Sequence, residues 1–194
     1  MTNEYKTNNL KLFLLNRNVC KMRKFGLVLL VLGLFGCASI PKKAEAVKKF
    51  DADKYLGKWY EVARFDFRFE KNLNNTTAEY SKNDNGTIKV VNKGYNYVKN
   101  EWTSAEGKAK FVKDPQTAQL KVSFFGPFYS GYNVIELDAD YKYALVAGES
   151  LKYLWILSRT PTIPEDIKQK YIQKAKEIGY ETEHLIWVEH NSDD

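Results

Sequence analysis

The chain has 194 residues, 44% hydrophobic and 14% aromatic, enough for one ordinary cored domain plus a leader, which excludes global disorder. Its formal charge of +6 sits at the front: the first 36 residues hold six Lys/Arg and one acid, so of 30 bases and 24 acids the remainder keeps 24 and 23. Binding to nucleic acid needs a clustered surplus of cations to neutralise phosphates, so no nucleic-acid partner is expected.

Residues 1–36 read as a leader. Met22, Arg23 and Lys24, followed by the apolar run 25–35, have the form of a secretory signal over 22–36. The run falls short of the ~20 apolar residues that span a bilayer. It ends in Leu34, Phe35, Gly36 and Cys37, which resembles a lipobox, where a diacylglyceryl group is attached to the cysteine and the leader is cut just before it. Cys37 is therefore the expected lipidation site, with a plain signal peptide and an incidental cysteine as the alternative; Phe35 is bulkier than the small residue usual there. Ala38, not an acid, follows, which by the sorting pattern of such lipoproteins implies the outer membrane. Residues 1–21 are polar with a second short apolar patch and are read as a misannotated start, Met22 being the better one; an extended basic region is the alternative. Residues 37–50, Lys-rich with one proline, are expected as a lipidated tether that lifts a domain off a membrane. Cys20 and Cys37 both precede the folded part, and His184 and His190 lie near the C-terminus, so no disulfide framework, metal site or cofactor is expected.

The domain is expected over 51–190. Short β-rich segments recur there at 57–67, 76–82, 87–95, 101–113, 117–125, 131–138, 142–148 and 152–159. Asn83 to Gly86, Lys113 to Pro115, and Gly148 to Ser150 supply turns between them. Eight sequential strands joined by tight turns predict an all-β, antiparallel up-and-down barrel, since closure removes exposed edges and leaves an interior for one small ligand. Alternation turns Ala105, Gly107, Ala109 and Phe111 inward, with Leu120, Val122 and Phe124, and with Tyr153, Trp155 and Leu157. The small residues of that set are expected to leave space, the alternative being a core filled by its own side chains. After Pro164 the period changes: Ile167, Tyr171, Ile172, Ala175 and Ile178 form one helical stripe ending at Gly179, read as a C-terminal α-helix packed outside the barrel. Residues 184–189 read as a short final strand.

Gly57, Lys58 and Trp59 at the first strand, Asp140 and Tyr141 between the sixth and seventh, and Arg159 after the eighth resemble the three sequence signatures of lipocalins. YLGKWYEVARF, KVSFFGPFYSGYNV and YLWILSRTP resemble the bacterial subgroup of outer-membrane lipoproteins over nearly the whole of 51–189, and the lipobox belongs to the same subgroup. One departure is Ala139, where many lipocalins have Thr. The resemblance implies that Trp59 plugs the closed end of the barrel with Arg159 across its ring. Gly57, Trp59, Asp140, Tyr141 and Arg159 are thus fold determinants, and a ligand is met nearer the open mouth. Ala105, Ala109, Phe111, Leu120, Val122, Phe124, Tyr153 and Trp155 are the expected ligand-binding residues. The resemblance also implies a lipid ligand, a fatty acid or lysophospholipid, stored or transported for membrane maintenance by a protein anchored through acylated Cys37 and facing the periplasm. Pairing into a homodimer is left open.

Two other functions compete. An enzyme on a hydrophobic substrate lacks a thiol in the barrel and a histidine beside a serine and an acid; Glu61 and Glu106 are the candidate buried acids, and no catalytic residue or activity is expected. A structural or inhibitory surface protein would use Trp102, Tyr129 and Tyr132 near loops, with the aromatic SFFGPFYSGY segment lining a mouth, a dimer contact, or the underside of a loop.

Overall fold

Alternating apolar and polar residues become a ring of antiparallel strands in the computed structural model, which describes residues 39–191. The strands are β1 (Gly57–Phe65), β2 (Leu73–Lys82), β3 (Ile88–Asn96), β4 (Glu101–Phe111), β5 (Gln119–Ser123), β6 (Ser130–Leu137), β7 (Tyr143–Ala147) and β8 (Leu154–Ser158). Each pairs with the next and β8 returns to β1, so the ring has no free edge. A four-residue helix, α1 (Ala52–Tyr55), precedes β1 and was not expected from the sequence; α2 (Glu165–Ile178) and β9 (Leu185–Trp187) follow β8. The leader and Cys37 lie outside the described residues. Among the described residues no helix is long and apolar enough to cross a membrane.

Strands β6, β7 and β8 are apolar on both faces for a physical reason. Inward, Val134, Val146 and Leu157 join Trp59, Tyr80, Ile88, Val90, Ala109 and Leu120. Outward, Ile135, Leu145, Ala147, Leu154 and Ile156 are covered by Tyr171, Ala175 and Ile178 of α2. Burying each such side chain contributes ~1.5–3 kcal/mol, so the helix and the wall it covers hold each other in place. Tyr171 adds a hydroxyl bond to the Tyr143 carbonyl at 2.9 Å, and Lys170 and Lys174 each reach Glu136 at 3.4 Å. Helix α2 begins with Glu165 and Asp166 in its first turn and stops at Gly179, whose φ of 112° is left-handed.

At the closed end Trp59 is fully buried and the Arg159 guanidinium lies 3.9 Å from its ring centroid. Arg159 also donates to the carbonyls of Lys58 (2.8 Å), Lys54 and Leu56 (both 2.9 Å) and Tyr141 (3.2 Å). Helix α1 thus supplies acceptors for the clamp, and Trp59 Nε1 donates to the Tyr55 carbonyl at 2.8 Å. Gly57 connects α1 to β1 at φ 90°, a conformation that a side chain would strain. The turn holding Asp140 and Tyr141 is fixed by Asp138, whose carboxylate accepts from the backbone N–H groups of Asp140, Lys142 and Tyr143. That bonding does not involve the side chain at 139.

The segment expected as a tether standing clear of the barrel instead lies along it. Backbone bonds join Val47 to Val134 and Ala118, and Phe50 to Gln116, while the Ala44 and Phe50 side chains are buried. At its start, Ser39 Oγ donates to the Glu149 carbonyl at 3.0 Å, and Asn133 Nδ2 donates to the Ser39 carbonyl at 3.2 Å. Gly131 permits this approach, because a Cβ there would stand 2.5 Å from the Ser39 oxygen. Lysines on the segment's exposed side conceal from composition what its backbone does.

Strand β9 occupies the upper part of the seam between β1 and β2. Those two strands pair only over residues 57–60 and 77–80, and above this β9 pairs with Ala63, Arg64 and Phe65. Replacing Arg159 by Ala should lower the unfolding free energy in urea by about 3 kcal/mol, the scale of one cation–π contact plus charged hydrogen bonds. Lysine should recover only part of it, having no planar fork.

Candidate functional site

Because Trp59, near the start of β1, lies at the base, β1, β3, β5 and β7 run toward the mouth. The loops 66–72, 97–100, 124–129 and 148–153 therefore surround the mouth, while 83–87, 112–118 and 138–142 lie at the base. Of the expected ligand-binding residues, Ala109, Phe111, Leu120, Val122, Phe124 and Trp155 belong to the inner apolar cluster. Ala105 stands opposite Asn92 and is exposed toward the mouth. Tyr153 is half-buried and stacked on Trp155 with ring centroids 6.3 Å apart. The room expected over the small residues of β4 is partly taken: a Cβ on Gly107 would be 2.8 Å from the Phe124 ring.

The interior also holds a polar cluster. A bulge between Glu61 and Ala63 breaks the two-residue period of β1, so Glu61 faces inward opposite Leu157 and Arg64 inward opposite Trp155. Arg64 Nη1 donates to Glu61 Oε1 at 2.8 Å, and Nη2 donates to the carbonyls of Glu70 (2.7 Å) and Leu73 (3.0 Å). Thr76 Oγ1 donates to Glu61 and Trp155 Nε1 to Glu70, both at 3.1 Å. The loop 66–72 is thereby fastened across the mouth. Phe67 covers Tyr153 and Trp155 edge-on, each at 5.8 Å.

Burial pushes the carboxyls of Glu61 and Glu70 up, against the pull of Arg64; Glu70 rises well above the ordinary range, since it also meets the charge of Glu61. One guanidinium balances one carboxylate, so the neutral form of this cluster keeps a proton on the second acid. Strict alternation would turn Arg64 outward, which is why sequence reasoning missed it. Arginine in the otherwise apolar run beginning at Val62 was the available signal, because the wall beneath α2 has no room for a charge. Glu106, the other candidate buried acid, is exposed and paired with Lys89 at 2.8 Å.

Deeper inside, the hydroxyls of Tyr55 and Tyr80 each bond that of Tyr132 at 2.8 Å. Burial raises all three phenols and keeps them protonated. Tyr132, expected near a loop as a surface contact, is therefore an interior residue. Trp102 is exposed as expected, and Tyr129 lies half-buried beneath Lys110 and Lys121. A hollow of about 450 Å³ lies on the outer wall, lined by Lys58, Tyr60, Lys93, Trp102, Pro161 and His190 among others. Another of about 150 Å³ lies beside Lys48, Lys113, Asp114 and Thr117, also outside the barrel.

A family model described as a lipocalin-like domain matches residues 50–190. The chain belongs to the lipocalin family. This lipocalin is 57% identical over 148 residues to the outer membrane lipoprotein Blc of Citrobacter freundii, covering 76% of this chain and 84% of that relative. It is 49% identical over 169 residues to the protein of the same name from Vibrio cholerae, covering 87% of this chain and 99% of the relative. Insecticyanin of the tobacco hornworm Manduca sexta has the same fold, with a TM-score of 0.63 at 16% identity over 79% of this lipocalin and 88% of that chain.

The raised Glu70 carboxyl has a consequence for stability. From an unfolded value near 4.5 up to its higher folded value, the unfolded lipocalin has released a proton that the folded one retains, so stability falls as pH rises through that window. A Gln at 70 can accept from Trp155 and donate to Glu61 without titrating. Glu70→Gln should therefore melt with wild type below pH 4.5 and above it at higher pH, the gap growing by at most ~1.4 kcal/mol per pH unit within the window. Thermal melts followed by circular dichroism across pH read this directly, and a constant gap would refute it.

Proposed function

We propose that this lipocalin is an outer-membrane lipoprotein that stores or transports one fatty acid or lysophospholipid for membrane maintenance, held through acylated Cys37 and facing the periplasm. The observation that carries the reading is the contrast between the two ends of an apolar-lined closed barrel. Its base is sealed by Trp59 and the bonds of Arg159, while its mouth is shut by a single loop, 66–72. The relatives that share about half its residues are named outer membrane lipoproteins, which supports the location.

An acyl chain would run past Val122, Leu120, Ala109 and Phe111 toward Ile88 and Leu157, below Phe124 and Trp155. Removing a few hundred Å² of it from water yields several kcal/mol at ~25 cal/mol per Å², before the ordering cost is subtracted. Phe124 must leave the space over Gly107, and loop 66–72 must lift, for the chain to enter. Ala105 and Tyr153 then border the headgroup, with Arg68 and Lys71 on the loop as partners for a phosphate or carboxylate. Such chemistry is binding alone, and the reading assigns the protein no catalytic step.

Native mass spectrometry of the chain from Ala38 onward should find lysophospholipid or fatty acid at about one per barrel or per pair of barrels. Brominated fatty acid should quench tryptophan fluorescence, and Trp155→Phe should remove most of that quenching, because Trp102 and Trp187 are exposed on the outside and Trp59 is sealed in the base. An empty protein that also fails to respond to added acyl probe would overturn the carrier reading. The mass of the N-terminal peptide from membrane-extracted protein tests the acylation of Cys37 separately.

A further inference from the structure

The two ends of the barrel differ in what they expose. Among the described residues, Phe69, Tyr97, Val98, Phe125, Phe128 and Leu151 are large apolar side chains open to solvent, and together they represent all four loops at the mouth. The three base loops contribute none. Phe125 and Phe128 are 67% and 78% exposed. Single surface apolar residues need no explanation, but a set gathered at one end of a molecule marks a contact. Phe69 and Phe125 approach across two loops, their centroids 5.9 Å apart, and the Arg68 guanidinium lies 4.7 Å from the Phe69 ring. Lys121, on β5 just below the same rim, lies 5.4 Å from the centroid of the Tyr129 ring. Aromatic rings edged by cations suit a lipid interface, where rings enter the headgroup layer and cations meet phosphates.

A second observation fixes the direction. Ser39 is bonded to Glu149 in the mouth loop 148–153 and to Asn133 near the top of β6, and from there the segment descends to Phe50 at the base. Cys37 precedes Ser39 by two residues, a reach of no more than ~7 Å. An anchor at Cys37 therefore leaves the barrel on the side of its mouth.

We propose that the mouth end docks on the membrane, with Phe69, Phe125 and Phe128 in the headgroup layer and Arg68 and Lys121 against lipid phosphates, so that ligand passes between bilayer and barrel, once loop 66–72 lifts, without crossing water. The partner is a phospholipid surface. The direction of the anchor rests on the lipoprotein reading above, whereas the rim stands on exposure and charge alone.

The test uses the mature acylated chain in vesicles of phosphatidylethanolamine and phosphatidylglycerol containing a doxyl-labelled phospholipid. In the lipoprotein reading Cys20 leaves with the leader and the Cys37 sulfur is taken up in the thioether to its diacylglyceryl group, so Phe125→Cys or Asp84→Cys supplies the reactive thiol for an environment-sensitive dye. Dye at 125 should shift to the blue and be quenched by the lipid several-fold more than dye at 84 in a base loop. The double variant Phe125→Ser, Phe128→Ser, which leaves loop 66–72 intact, should raise vesicle-surface mobility while keeping acylation and fatty-acid binding. Dye at 125 remaining in water, or dye at 84 being the quenched one, would overturn the docking. A blue shift at 125 without lipid quenching would mean that a second copy of the chain covers the rim, and would overturn it equally. Fatty acid bound while 125 stays wet leaves the carrier reading intact; quenching at 125 with no fatty acid bound sinks the carrier reading and keeps the docking.

Discussion

The guanidinium of Arg159 lies flat against Trp59 and gathers four backbone carbonyls, from Lys54, Leu56, Lys58 and Tyr141. A ring of strands leaves polar backbone at its ends, and such groups are costly to bury without partners. At the base a single cation answers that requirement for the approach to β1 and for the turn after β6. The indole beneath it stays dry, and the rings of Phe50, Tyr55 and Phe111 pack inward from there. With one end sealed, any exchange with the interior is confined to the other.

The mouth is closed by different chemistry. Arg64, Glu61 and Glu70 make a charged knot inside an apolar tube, and two of its bonds go to the backbone carbonyls of Glu70, within loop 66–72, and of Leu73, just after it. Lifting the loop means separating charge-assisted bonds in a region of low dielectric, where each is stronger than at a surface. The protonation of Glu70 adjusts that cost, since an uncompensated carboxylate beside Glu61 loosens what a protonated one holds. Hydrocarbon lining and polar latch thus sit at successive depths of one interior.

The ring was legible because a strand turns alternate residues inward and the turn residues between strands are chemically distinctive. Leu120, Val122 and Phe124 stand inward as alternation requires, and the stripe from Ile167 to Ile178 meets the outer wall. Legibility failed where backbone bonding outweighs side-chain pattern. Residues 39–50 bind β6 and the loop before β5 through main-chain groups and bury only a few apolar side chains, Pro41, Ala44 and Phe50, so their lysines dominate any reading of composition. In β1 one inserted residue reversed the inward sense of everything after it, which hid Arg64, and Glu70 belongs to a loop with no periodicity at all. The space over Gly107 is smaller than the small residues of β4 suggest because the filling residue, Phe124, comes from the loop just after the neighbouring strand, and a strand-by-strand reading carries no packing across the ladder.

Strand β9 and the residues after it close the upper part of the seam between β1 and β2, and Arg159 ties down the approach to β1 with bonds that span 101 and 105 positions. The parts that lock the first strand thus leave the ribosome long after it. Until they emerge, local hairpins can form and dissolve, but no circumference can be completed, and such distant pairings are the slow ones in folding. A nascent chain of this design remains threadable until β8 and β9 have been made, a useful property in any protein that must pass through a narrow pore before it takes its final shape.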